Sequence, residues 1–278
     1  MPARADAPSL WRSVLAPSWS LGRGADPLPA FLWPVASAAL LAAAWAVAAG
    51  HFDVTVFPSP LAVAREAARM AADGTIWEHA GISAARLAVG FAIGGAIAVP
   101  VGFAMGLSPF FRRMMEPFTE FFRFIPAIAM VVFALIWFGI GEASKLFLIA
   151  YNAFFSIAMA TEMGVARVER SRINAVLSLG GSRWDTARLV VLPSVVPYIL
   201  QGMRVGMGRA FATIVSAEIL AANAGLGYLI YSAREFSRMD TVVVAIVALG
   251  LLGLAADRAF VALARRLYRH TLPEEFGP

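Results

Sequence analysis

The feature that most narrows the fold of this chain is a series of apolar blocks, each of bilayer length. Residues 31–50, 85–107, 143–163, 194–215 and 241–263 each supply about 20 mostly apolar residues, enough for a helix to cross the roughly 30 Å hydrocarbon core of a membrane. A sixth block, 125–140, is shorter. As a span it is either tilted little or continued by the amphipathic stretch 110–124. Lipid offers no partner to backbone N–H and C=O groups, so such blocks become helices, which satisfy those groups internally. The expected architecture is an all-α membrane protein with six transmembrane helices. Composition agrees, at 60% hydrophobic and 15% charged residues, where soluble domains carry about 25% charge.

Positive charge sets the orientation, because Lys and Arg are retained on the cytoplasmic side. With both ends inside, fourteen basic residues fall in cytoplasmic segments and five outside, setting aside Arg86, Arg204, Arg209 and Arg258 within or beside spans. The expected layout is a cytoplasmic tail at 1–30, a transmembrane domain over 31–268, a cytoplasmic loop at 164–193 and a cytoplasmic tail at 269–278, in the inner (plasma) membrane. The first 30 residues carry Arg4, Arg12 and Arg23 before a nearly bilayer-length block, too long on both counts for a cleaved signal peptide. The net charge of +5 comes from short arginine runs beside apolar blocks. That pattern suits anionic headgroups, with lipid rather than nucleic acid as the partner. Between the first two spans, 51–84 reads as an external amphipathic helix for which Ser59 or Thr75 could cap.

Several chemistries are excluded. The chain has no cysteine, so thiolate metal sites and thiol nucleophiles are out. Its only lysine, Lys145, follows Ser144 rather than a glycine, so the chain has no Gly-Lys-Ser/Thr phosphate-binding loop. His51, His79 and His270 lack metal-ligand spacing. No catalytic residue, metal site or cofactor is implied.

The loop between the fourth and fifth spans carries the most information. It reads Glu169-Arg170-Ser171-Arg172-Ile173-Asn174-Ala175-Val176-Leu177-Ser178-Leu179-Gly180-Gly181-Ser182-Arg183-Trp184 and runs on to Leu192-Pro193. Periodicity predicts a short helix stopped by Gly180 and a second capped by Ser182, with Pro193 in the first turn of the next span. The loop resembles the cytoplasmic signature of ABC-importer permeases: Glu-Ala-Ala, three residues, Gly, nine residues, Ile, any residue, Leu-Pro. Ala175, Gly180, Leu192 and Pro193 occupy the family's places, Val176 and Val190 replace Ala and Ile, and Asn174 stands where the family has Glu. Glu169 and Asp185 are nearby acids that could substitute.

The segments Phe57-Pro58-Ser59-Pro60, Trp137-Phe138-Gly139-Ile140-Gly141-Glu142 and Ala222-Asn223-Ala224-Gly225-Leu226-Gly227-Tyr228-Leu229 extend the likeness to the nitrate, taurine and alkanesulfonate subfamily. The resemblance implies a type I ABC importer permease fold and a permease homodimer. It also implies ATP-binding cassette ATPase subunits and a periplasmic or extracellular solute-binding protein. The implied solute is a small anion, sulfonates first and nitrate or aromatic carboxylates next.

Ionisable residues within spans cost about 2.5–3.5 kcal/mol to insert unless paired or wet, which makes them functional candidates. Arg204, Arg209 and Glu218 fall in or near the fifth span and Glu162 in the fourth, where the polar Asn152 is a similar, weaker candidate. Helical geometry turns Arg204 and Arg209 about 140° apart and Arg209 and Glu218 about 180° apart, so their partners lie on other helices. Arg204, Arg209 and Asn152 are candidate pathway residues, with Glu218 and Asn223 assigned to an outer gate. The competing readings are an ion-coupled secondary transporter, which needs an ion site on broken helices, and an intramembrane enzyme, which needs a cluster of reactive polar groups.

Overall fold

A computed structural model describes residues 32–53 and 55–268. The expected tails at 1–30 and 269–278 and the start of the first span lie outside the described residues. The chain divides into two units, Met1–Phe52 and Asp53–Pro278. In the first, α1 (Leu32–Ala49) is an 18-residue helix without a charged side chain.

The second unit opens with α2 (Pro60–Ala72), whose N-cap Ser59 accepts from the Ala62 N–H at 3.3 Å. Pro60 needs no amide partner in this first turn. The next helix, α3 (Thr75–Leu107), starts ten residues before the expected span. Gly74, at φ +86°, is its N-cap, so Thr75 is the first helical residue and not a cap. Its 33 residues reach about 50 Å, more than the hydrocarbon needs.

The short third block is broken. Ser108 caps α4 (Pro109–Phe122), but α4 does not run on into α5 (Ala127–Phe138): the two are bent by 104° at residues 123–126. Pro126 supplies no N–H and holds its own φ at −61° with extended ψ, which ends any continuation. The rest of the unit is α6 (Glu142–Ala166), α7 (Arg170–Ser178), α8 (Arg183–Thr186), a π turn at Ala187–Val191, α9 (Leu192–Ala221), α10 (Leu226–Glu235) and α11 (Met239–Leu267). Helices α3, α6 and α11, together with the stretch Arg183–Ala221 ending in α9, are long and apolar enough to cross a membrane, and the bent α4–α5 pair offers a fifth crossing.

At the centre of this unit α6 is packed between α3 and α9. Small residues make this possible: a Cβ on Gly94 of α3 would lie 2.7 Å from the Ala150 carbonyl, and one on Gly164 of α6 would lie 2.8 Å from the Tyr198 Cβ. Backbones that approach this closely gain dispersion along their whole length, the main attraction available between helices in lipid. Ala98, Ala153, Ile157 and Ala158 form one buried cluster along the seam, and Leu87, Ile149, Ala210 and Ile214 another. These contacts fix α6 and α9 rigidly enough to hold polar groups at defined places between them.

Candidate translocation pathway and coupling surface

Near the middle of α6 and α9, the break between α4 and α5 opens a cavity of about 450 Å³. Asn152, Arg209, Thr213 and Ser216 line one side, and Arg123 through Ile128 the other. Residues 209, 213 and 216 share a helix face by their spacing of four and three. The Asn152 amide donates to Thr213 Oγ1 and to the Arg209 carbonyl at 3.3 Å, while Thr213 Oγ1 donates to the same carbonyl at 3.0 Å. These bonds pin the Arg209 backbone and leave its guanidinium exposed, with no acid within ion-pair distance among the described residues. Arg204, on the same helix, is elsewhere. It is paired twofold with Asp257 of α11 at 2.8 and 3.0 Å, so the structure separates two arginines that the sequence grouped. Glu162 is likewise engaged, 3.0 Å from Arg112 Nε.

At one end of α3, a second polar site is closed. Glu218 of α9 is fully buried and accepts from the Ser83 hydroxyl at 2.8 Å, from Arg86 at 2.9 Å and from the Gly227 N–H at 2.8 Å. Arg86 also grips Glu142 through two bonds of 2.7 Å and donates to the Ala224 carbonyl. Ser83 Oγ accepts from the Leu226 N–H, and His79 Nδ1 from the Gly225 N–H at 3.0 Å. The ends of α3, α6 and α9 and the turn before α10 are thus tied into one network. Gly225 is required in it: its φ is +119°, and a Cβ there would overlap the Glu218 carboxylate. Asn223, in the same turn, is exposed.

At the other end of α6 and α9 lies the Arg-rich loop. Its first helix, α7, buries no residue. Gly180, at φ +84°, stops it through a paired C-terminal motif: the Gly181 N–H bonds the Val176 carbonyl and the Gly180 N–H bonds the Leu177 carbonyl, both at 3.0 Å. Ser182 then opens α8 in a capping box with Asp185. Pro193 falls in the first turn of α9, but no free end precedes it. The π turn carries the helix from α8 into α9 and shifts the hydrogen-bond register ahead of the missing proline donor. Leu179 is 90% exposed and Trp184 73% exposed, with Leu177 and Leu189 also open. Asn174 is exposed and makes no side-chain hydrogen bond among the described residues, while Asp185 is held by Ser182 and Glu169 by Arg172 at 3.2 Å. Both acids are thus already engaged within the loop.

Residues 90–269 match the family of binding-protein-dependent transport system inner membrane components. The chain belongs to this family. It is 37% identical to the taurine transport system permease protein TauC of Escherichia coli, over 83% of this chain and 86% of that one. It is 35% identical to the putative aliphatic sulfonates transport permease protein SsuC of the same organism, over 81% and 86%. The methionine ABC transporter MetNI in an inward-facing conformation shares the fold, with a TM-score of 0.54 at 21% identity over 65% of this chain and 92% of that one.

As a permease, the chain is an all-α, non-catalytic transport subunit of the type I importer fold, and its family works with ATPase and binding-protein partners. Of the pathway residues named from its sequence, the structure brings Asn152 and Arg209 together and leaves Arg204, Glu218 and Asn223 outside their cavity. Sequence reasoning missed two residues. Arg123 is one of the fourteen basic residues assigned to cytoplasmic segments, because nothing in a hydropathy profile marks the 104° bend that brings it to the cavity. Arg86 sat at a span edge, although an arginine and a glutamate both at membrane depth were the signal that they could pair.

Proposed function

We propose that this permease forms the membrane pathway of an ATP-driven importer for a small anion. Two copies stand side by side, ATPase subunits dock beneath the α7–α8 loop, and a binding protein delivers solute at the opposite face. The loop carries this reading. It is stiffened at both ends, buries nothing in α7, and presents Leu177, Leu179 and Trp184 among Arg170, Arg172 and Arg183. Large apolar side chains exposed on a rigid element and rimmed by charge are what an obligate docking surface needs. Charge counting puts this loop and both termini in the cytoplasm, where ATP is. Asn174, Ala175, Val176, Gly180, Val190, Leu192 and Pro193 are its coupling residues, with Asn174 making a neutral contact in place of an ionic one. The buried Glu218 network, with Asn223 at its rim, then closes the extracytoplasmic end.

The anion follows from the relatives named for taurine and aliphatic sulfonates and from an arginine without an acid at mid-depth in α9. Sulfonates rank first, with nitrate or an aromatic carboxylate next. Reconstitution with the partner ATPase and binding protein should give uptake that requires ATP, and gradient-driven uptake by the permease alone would overturn the proposal. Gly180→Pro cannot adopt φ +84° and should abolish co-purification of the ATPase while membrane insertion persists. Unchanged co-purification would remove the coupling role from the loop.

A further inference from the structure

The 450 Å³ cavity contains more than the candidate arginine of α9. Arg123 enters from the break between α4 and α5, its guanidinium 4.6 Å from the centre of the Phe124 ring. Its Nε is buried with no hydrogen-bond partner. The nearest acid, Glu120, is 3.7 Å away and exposed, a loose pair at best. Nη1 of Arg123 meets only the weak acceptor Met159 Sδ at 3.8 Å, and the partly exposed guanidinium is left with donors to offer an acceptor in the cavity.

The break adds a second source of positive potential. Pro126 is the N-cap of α5 and gives no side-chain cap. The N–H groups of Ala127 and Ile128 have no acceptor among the described residues, and both residues line the cavity. The first amides of a helix point back past its N-terminus, here toward the break, with the positive end of the helix dipole behind them. Arg209 and Ser216 face the same space from α9, while Asn152 and Thr213 are spent on holding the Arg209 carbonyl. A discontinuous helix aimed at the middle of the membrane is a known way to meet an anion there.

We infer that Arg123 and Arg209, with Ser216 and the first amides of α5, form a transit site for a single oxyanion group, and that Phe124 and Ile128 beside it accept a short apolar substituent. Asn152 is a positioning residue for this site. The inference rests on the reading of the chain as an anion permease and gives that reading a place. Two guanidiniums from different helices favour a tetrahedral or planar oxyanion over a halide, because their N–H groups are satisfied in parallel pairs. The apolar wall favours an alkyl-bearing anion over a bare inorganic one.

The test uses the complete importer in proteoliposomes and ATP-driven uptake of ethanesulfonate, with taurine, nitrate and chloride as comparisons. Arg209→Gln and Arg123→Gln should each lower ethanesulfonate uptake at least about tenfold, since each removes hydrogen bonds to a charged group. Arg→Lys at either position should recover only part of it, because the charge is kept and the fork is lost. A measurement on the unmutated permease–ATPase complex guards against misfolded variants. Phenylglyoxal should modify Arg123 and Arg209 more slowly when ethanesulfonate is present, with no slowing by chloride at equal ionic strength and none at the exposed Arg172. Ethanesulfonate uptake undiminished in both Gln variants, or equal modification rates with and without ethanesulfonate, would overturn the site and leave the anion reading standing. Wild-type uptake of none of the anions would overturn the anion reading itself.

Discussion

Arg86 and Arg209 both lie in membrane-length helices, yet they are built in opposite ways. Arg86 is 8% exposed and held by Glu142, Glu218 and the Ala224 carbonyl, and the donors around Glu218 come from Ser83 and Arg86 of α3 and from the Gly227 N–H of α10. Arg209 is exposed to a cavity, has no acid, and is fixed through its carbonyl while its charge is left open. A charge satisfied on all sides has nothing left to offer a solute, so it seals. A charge positioned but unsatisfied binds what arrives. The contrast divides the ionisable residues of the spans into those that hold the fold and those that act on cargo, and it makes opposite demands on mutation.

The largest effect should come from Glu218→Ala. It leaves Arg86 buried with one carboxylate fewer and orphans the Ser83 hydroxyl and the Gly227 N–H. Breaking a buried ion pair from one side is destabilising by about 3–5 kcal/mol. The thermal midpoint of the detergent-solubilised permease should fall sharply. Arg209→Gln, which breaks no pair, should leave stability within about 0.5 kcal/mol of wild type and the midpoint nearly unchanged. A stable Glu218→Ala protein, or an Arg209→Gln protein that unfolds early, would erase the distinction between the sites.

Gly225→Ala should be next. The alanine must hold φ +119° and place its Cβ within the Glu218 carboxylate, and the backbone strain alone is about 1–3 kcal/mol. The two substitutions sharpen each other in a double-mutant cycle. In a Glu218→Ala background the overlap is gone and only the strain remains, so Gly225→Ala should lose less stability there than alone. Additive losses would mean that the turn and the carboxylate are not packed as one unit.

The difference between the two arginine sites was only partly legible in the sequence. Helices α3, α6, α9 and α11 announce themselves by apolar length, because lipid forces each helix to declare its own span. The Arg-rich loop was legible down to its Gly180 stop and Ser182 cap, since both depend on a few adjacent residues. The polar sites join residues far apart in the chain: Ser83 meets Glu218 and Asn152 meets Thr213. Helical spacing could show that Arg204, Arg209 and Glu218 do not meet one another, and could not say that Asp257 and Arg86 are the partners of two of them. The bend at residues 123–126 was hidden for a different reason. Amphipathic α4 and apolar α5 read equally well as one tilted span, and the direction of a break depends on what packs against it.

The loop offers a smaller test of the same principle, that a satisfied polar group matters in proportion to its burial. Ser182 is exposed, and its hydroxyl both accepts from the Asp185 N–H and contacts the Asp185 carboxylate. Ser182→Ala should weaken the start of α8 by about 1 kcal/mol. The measurable consequence is faster amide hydrogen exchange at residues 183–186, with the global thermal midpoint nearly unchanged. An effect as large as that of Glu218→Ala would show that capping, and not burial, decides which polar groups hold this fold.

Glu66 lies between the two extremes and is the one whose contribution is read through pH. It is 8% exposed on α2 and accepts from Arg69, from Arg238 and from the Thr241 hydroxyl of α11, at 2.6, 2.6 and 2.9 Å. Asp240 is close to the same threonine, and Asp73 pairs with Arg69 at 3.2 Å. The hydrogen bonds from Arg69 hold the Glu66 carboxyl below its ordinary range, helped by Thr241 and Arg238 and opposed by burial. A carboxyl with a lowered folded pKa contributes stability that is complete above its unfolded value, about pH 4.3, and fades as pH falls through the folded value. The thermal midpoint should therefore be flat in this respect from pH 7 to about pH 5 and decline below that. Glu66→Gln should start lower at pH 7 and decline less on acidification, because the group that takes up the proton is gone. Parallel curves for the two proteins would mean that α2 is held on α11 by Val63 and Met70, its buried apolar residues, with no net contribution from the carboxylate.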